Sequence, residues 1–183
     1  MVENKLDLIF KAYDVRGVYG ETLTDEIAYN IGMAFSQFVE SDRVIVGHDG
    51  RNSNIKILKY VAAGIVGNNK EVFYIGTVPT DVVYSLSGLM DLPGMIITAS
   101  HNPKEWNGFK FCNSGAAPIG IESGLLEIKK LASENDNTPF ELVEVIKEDV
   151  IQSYINHLKT IVQPDNINSS IKFAIDGGNG AIG

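Results

Sequence analysis

"EVFYIGTVPTDVVYSLSGLMDLPGMIITAS", residues 71–100, decides the fold. Its first six residues form an apolar run ended by glycine, which reads as a buried strand. "PTDVVYSLSGLMD" then reads as a helix with Pro79 in or just before its first turn. "GMIIT" is a second strand, and it ends at a small-residue turn holding Ser100. Strand, helix, strand in so short a span is the unit of a right-handed crossover between parallel strands.

The same alternation extends in both directions. "TDEIAYNIGMAFSQFVE" places Ile27, Ile31, Ala34, Phe35 and Phe38 on one helical face. Thr24 is its expected N-cap, with Asp25 and Glu26 in the dipole-favoured first turn. "RVIVG" (43–47) is a buried strand. The helix after it runs through Ile57, Leu58, Val61 and Ile65, with Ser53 as its expected cap and Gly67-Asn68-Asn69 as its end. Downstream, "NGFKFCN" reads as a strand, "ESGLLEIKKLA" as a short helix and "SENDNTP" (133–139) as a polar loop. "EDVIQSYINHLKTIV" reads as a helix, and "IKFAIDGGNGAIG" as a strand running into a Gly-rich turn. This order predicts an α/β protein, a three-layer α/β/α sandwich with a mostly parallel (mixed) sheet covered on both faces. The first domain is expected to span 1–150. Residues 151–183 are expected to begin a second domain of a longer protein, because the sequence stops at a strand and turn that should launch a helix.

Composition narrows the partners. A net charge of -8 argues against a nucleic-acid or anionic-membrane partner, since both need a basic face. A small anionic substrate stays compatible with it, through a local basic pocket. The single cysteine, Cys112, permits no intrachain disulfide. No signal peptide and no run of about 18 apolar residues is present, so a cytoplasmic location is expected.

Five short segments carry candidate chemistry. "TASHNP" puts Ser100 at the C-terminal end of a buried strand, where open α/β sheets bind ligands. Pro103 keeps Asn102 out of helix. Ser100 also reads as an ordinary turn serine bonded to its own backbone. His101 is adjacent to Ser100, and neighbouring side chains on extended chain point apart, so a hydrolase-like pair is not expected. The G-x-S-x-G elbow is absent too. In "NGFKF", Phe109 and Phe111 face one way while Lys110 and Cys112 face the other. Two core anchors thus hold a lysine toward the opposite side, where it can neutralise a phosphate or move protons. "KAYDVRG" sets Arg16 in a Gly-bounded turn, able to fork a phosphate or to pair with Asp14. "VGHDGRNS" places His48, Asp49 and Arg51 at another strand's end, either on the same rim or in a plain Asp-Gly turn. "DGGNGAIG" (176–183) offers backbone N–H groups to an anion without matching a nucleotide-binding motif.

Taken together, these segments resemble the α-D-phosphohexomutases, the phosphomannomutase and phosphoglucomutase family, and the resemblance spans essentially the whole chain. "TASHNP" is similar to the family's phosphoserine loop and "NGFK" to its Asn-Gly-x-Lys segment. "KAYDVRG" resembles its N-terminal arginine turn. "VGHDGRNS" resembles its Gly-Arg-Asp-x-Arg segment, with His48 in place of an arginine. "FAIDGGNGAIG" resembles the start of the second domain. The resemblance implies that Ser100 carries the phosphate exchanged between the 1- and 6-positions of a hexose through a bisphosphate intermediate. It implies catalytic roles for Ser100, Lys110, Arg16 and His101, and substrate contacts by Ser100, Asn102, Lys110 and Arg51. It also implies Mg²⁺ bound through the phosphoserine oxygen, with its remaining ligands beyond Gly183. Hexose phosphate and hexose bisphosphate are the implied partners. The family's Asp-rich metal loop, sugar loop and C-terminal phosphate loop do not occur in this sequence, so the segment alone is expected to be inactive. A phosphoglucosamine mutase and a non-catalytic sugar-phosphate-binding relative are the alternative readings.

Overall fold

The strand–helix–strand unit of residues 71–100 is present in the computed structural model, which describes residues 2–135, 140–162 and 170–178. In chain order the elements are α1 (Val2–Ile9), β1 (Val15–Val18), α2 (Asp25–Phe38), β2 (Arg43–His48), α3 (Asn54–Gly67) and β3 (Glu71–Thr77). They continue as α4 (Thr80–Met90), β4 (Gly94–Ile97), β5 (Trp106–Asn113), β6 (Ala117–Pro118), α5 (Leu125–Glu134) and α6 (Ile151–Val162). The sheet runs β3-β2-β4-β5-β1, with β6 also on β5.

The sheet is mixed. β2 is parallel to both β3 and β4, so the helices α3 and α4 are crossovers. β5 is antiparallel to β4, β1 and β6. The cause of the reversal is the connection: only residues 98–105 separate β4 from β5, too few for the dozen or so a crossover needs. The serine-bearing loop is therefore a tight return at the C-terminal end of β4.

Side-chain alternation divides the core between two faces. Val44, Val46, Met95, Ile97, Phe109 and Phe111 pack with α1, α2, α3 and α5. Ile45, Ile75 and Ile96 pack with Val82, Val83 and Leu86 of α4 on the other side. This is the expected three-layer sandwich. The layer of α2 and α3 is drawn close by glycine: a Cβ at Gly32 would lie 2.3 Å from Val61 O, and one at Gly64 2.2 Å from Tyr29 O.

Thr24 caps α2 as expected, accepting from the Ile27 amide at 3.3 Å. Pro79 stands just before α4. Ser53 does not cap α3; its backbone is helical and its hydroxyl instead accepts from Asn107 Nδ2 at 2.7 Å. The helix expected over 122–132 is interrupted. A 3₁₀ turn, Ile121–Ser123, precedes α5, and Gly124 sits between them at φ 127°. The strand expected over 171–175 is exposed chain without regular structure, because a strand exists only against a ladder partner and no described strand lies beside it. The rest of its Gly-rich turn, 179–183, lies outside the described residues, as do residues 136–139 of the polar loop.

Residues 140–150 run back across the layers. Phe140 stacks on Tyr29 at 3.9 Å between ring centroids. Lys147 forms a parallel bridge with Tyr74, and the Glu148 amide donates to Tyr74 O at 2.8 Å, covering the edge of β3. Val150 is buried on the α4 side, and α6 follows with its Tyr154 hydroxyl donating to Asp81.

Candidate active site

Ser100 sits just past β4 with φ 56°, the left-handed region. For a residue with a Cβ this costs about 1–2 kcal/mol, so the surroundings must impose it. They do so from both sides. The Ser100 amide donates to Thr98 Oγ1 at 2.8 Å, and the Thr98 hydroxyl donates to Asp49 Oδ2 at 2.6 Å. Asp49 also accepts from the Arg51 amide at 3.1 Å and from Asn54 Nδ2 at 2.7 Å. Asn54 Oδ1 in turn accepts from Asn107 Nδ2 at 2.7 Å, at the start of β5. A buried polar chain thus runs from β5 through α3 and the β2 turn to the serine. Every buried side-chain polar atom among the described residues has a partner.

Arg51 closes the loop from the other side. Its Nη1 donates to the carbonyls of Pro103 at 2.7 Å and Trp106 at 3.0 Å. Its Nη2 donates to those of Ser100 and Asn102, both at 2.8 Å, and its Nε to Asp49 Oδ2 at 3.2 Å. The expected rim contact is therefore turned toward loop backbone.

Arg16 and Lys110 come together on Asp14. Stepping one residue past the Val15–Phe109 pair of the β1–β5 ladder sets Asp14 across from Lys110. Asp14 Oδ2 accepts from Arg16 Nε at 2.9 Å and Nη2 at 2.8 Å, and from Lys110 Nζ at 3.1 Å. Arg16 Nη1 donates to Asn102 Oδ1 at 2.6 Å, which ties the cation pair to the serine loop. Arg16 and Lys110 keep N–H donors free, and their side chains are 22% and 27% exposed. Phe109 and Phe111 are buried in the core, with Lys110 and Cys112 on the opposite face, as the alternation predicts.

The two histidines differ from their expected places. Because Ser100 is left-handed and not extended, the His101 ring does not point away: His101 Nδ1 lies 3.4 Å from Ser100 Oγ, at the long limit of a hydrogen bond. His48 is not on the rim at all. It is 3% exposed, with Nδ1 2.6 Å from Asp49 O and Nε2 2.9 Å from the Tyr74 hydroxyl. Facing a carbonyl, Nδ1 must donate, so in the neutral ring Nε2 accepts from Tyr74.

A cleft of about 1150 Å³ opens over the loop, lined by Ser100, His101, Asn102 and Lys104, by Asp49 and Arg51, and by Pro79 and Thr80 before and in α4. Arg16 and Lys110 are not among its lining residues; Asn102 belongs to both groups. No group of three or more His, Cys, Asp or Glu suited to a metal occurs among the described residues. No helix among them is long and apolar enough to cross a membrane.

Motif spacing did not single out Asp14 as the hub or Asp49 as an anchor. Asp14 and Arg16 stand two apart, hence on one face of extended chain, which was the available signal. The Asp49–Thr98 bond joins residues 49 positions apart and leaves no local trace.

Comparison with known proteins agrees with this architecture. Residues 7–139 match the model of phosphoglucomutase/phosphomannomutase alpha/beta/alpha domain I. A phosphomannomutase of Escherichia coli is 35% identical over 178 residues, covering 95% of this chain and 39% of that protein. One of Methanocaldococcus jannaschii is 36% identical over 183 residues, covering 95% and 38%. The crystal structure of a phosphoglucomutase/phosphomannomutase family protein from Burkholderia thailandensis superposes with a TM-score of 0.69 at 32% identity, covering 83% of this chain and 35% of that one. The chain thus spans about two fifths of the length of these curated relatives.

Proposed function

The chain belongs to the phosphoglucomutase/phosphomannomutase family, and from that premise we propose that it supplies the phosphoryl-carrying part of a phosphohexomutase. The enzyme moves a phosphate between the 1- and 6-positions of a hexose, with Ser100 as the carrier. The observation that carries this reading is Ser100 itself: an exposed serine held left-handed at the end of β4, opening into a cleft.

Phosphoryl transfer needs positioning and charge neutralisation more than covalent help. When a hexose bisphosphate charges the serine, the Oγ–phosphorus bond forms and the sugar oxygen–phosphorus bond breaks. The hydroxyl proton ends on the sugar oxygen, and His101 Nδ1 is the nearest ring nitrogen to that hydroxyl, at 3.4 Å. The product phosphoserine carries about -1.5 to -2 charges. Arg16 and Lys110 keep donors for it, Lys104 is a further cation in the cleft lining, and Asn102 links Arg16 to its loop. Mg²⁺ is the expected partner of the phosphoserine. Ser100 would be the ligand this chain offers, through a phosphate oxygen, and the ion would supply neutralising charge at the transferring group. The substrates are a hexose phosphate and its bisphosphate, in the cytoplasm, and the unit that carries the serine ends near residue 150.

The test is direct. In the complete mutase exposed to a hexose 1,6-bisphosphate, the peptide holding Ser100 should gain one phosphate, about 80 Da. Ser100→Ala should gain none. Phosphate on a different residue, or uptake by the alanine variant, refutes the assignment.

A further inference from the structure

An arginine has five N–H donors, and all five of Arg51 are engaged. No donor remains for a ligand, although the residue lines the cleft. Four of its partners are carbonyls of Ser100, Asn102, Pro103 and Trp106, so one side chain gathers the loop from Ser100 to the first residue of β5. Asp49, two residues earlier, holds the same loop by the opposite end: it takes the Thr98 hydroxyl, whose oxygen accepts from the Ser100 amide. The turn 49–51 therefore grips Ser100 by both its N–H and its C=O. The two grips are linked, because Arg51 Nε and its own amide both bond the Asp49 carboxylate.

We infer that Asp49 and Arg51 are a backbone clamp that fixes Ser100 in the left-handed conformation and so aims its hydroxyl, making them positioning residues and not contacts to the substrate. The requirement at residue 51 is the planar fork, not the positive charge. An ammonium has three donors on one atom and cannot span four carbonyls. The consequence for turnover rests on Ser100 being the phosphoryl carrier; the clamp itself is a statement about the backbone.

Two measurements on the complete mutase separate these. Amide hydrogen exchange reads the loop through Asn102, whose N–H donates to Ala99 O at 3.0 Å. In Arg51→Lys, Arg51→Ala and Thr98→Val, that amide should exchange at least about tenfold faster, while amides of β2 and β4 keep their protection. Phosphate uptake at Ser100 from a hexose 1,6-bisphosphate should slow by about 10- to 100-fold, the scale of an ångström-sized misplacement, with half-saturation changed less than about twofold. If Arg51→Lys keeps both the wild-type exchange and the wild-type rate, the clamp is refuted. A raised half-saturation with an unchanged loop refutes it equally and makes Arg51 a ligand contact. If the complete wild-type mutase takes no phosphate at Ser100, the carrier reading fails, and the exchange data alone decide for or against the clamp.

Discussion

Lys110 Nζ lies 3.1 Å from Asp14 Oδ2 across the β1–β5 ladder, on the oxygen that also receives Arg16. One buried carboxylate thus prepositions two cations whose mutual repulsion would otherwise splay them. Asp14→Ala removes charge-assisted hydrogen bonds and leaves both cations without their counter-charge. The expected loss is about 1.5–3 kcal/mol in denaturant unfolding. Asp14→Asn should retain most of the packing but still slow phosphate uptake by Ser100. Wild-type stability in the alanine variant would mean that the pair holds its place without Asp14.

Gly108 lies where β1 closes on β5: a Cβ there would fall 1.8 Å from Val15 O. The clash is with backbone, so no rotamer relieves it. Gly108→Ala should force β1 off β5 and cost more than about 3 kcal/mol, beyond the usual range for a point substitution. Thermal melting checks this, and an unchanged midpoint contradicts the close approach.

Cys112 is fully buried, and burial pushes its thiol above the ordinary cysteine value. A raised value keeps the thiol protonated at pH 7 to 8, and the thiolate is the reactive form. Alkylation by iodoacetamide at pH 8 should therefore be slow in the folded chain and rapid in denaturant. Equal rates in the two states would place the sulfur at the surface.

Much of this architecture was legible locally. The apolar runs of β2, β3 and β4, the alternation in β5 and the Thr24 cap each follow from short-range chemistry, and each is in place. What escaped was set by contacts far apart in sequence. The four residues of β1 form a strand because Gly108 admits them, not from their own propensity. The run 171–175 has strand composition but no described partner, so it forms no ladder. In the site, local pattern made Ser100, Lys110 and Arg16 candidates, and the family resemblance added Asn102. It could not tell whether Arg51 faces a ligand or the loop's own carbonyls, because that depends on a return of the chain some 50 residues later. The Ser100–His101 geometry depended likewise on a left-handed φ that no local rule assigns to serine.

Lys110→Met is the sharpest test of the cation pair. The substitution removes the ammonium but leaves Asp14 paired, because Arg16 Nη2 and Nε remain 2.8 and 2.9 Å from the same oxygen. The long apolar stem is preserved, and Phe109 and Phe111 still anchor the strand in the core. The fold should therefore survive, and a kinetic loss can be read as chemistry. In the complete mutase, kcat should fall by about 10²- to 10⁴-fold, the range for losing a positioned proton-transfer or charge-bearing group. Lys110→Arg keeps a charge in nearly the same place, so partial rescue points to neutralisation of the phosphate. Failure of arginine to rescue points to proton transfer, since a guanidinium does not give up its proton. An unchanged kcat in the methionine variant would leave Lys110 with no part beyond its contact with Asp14.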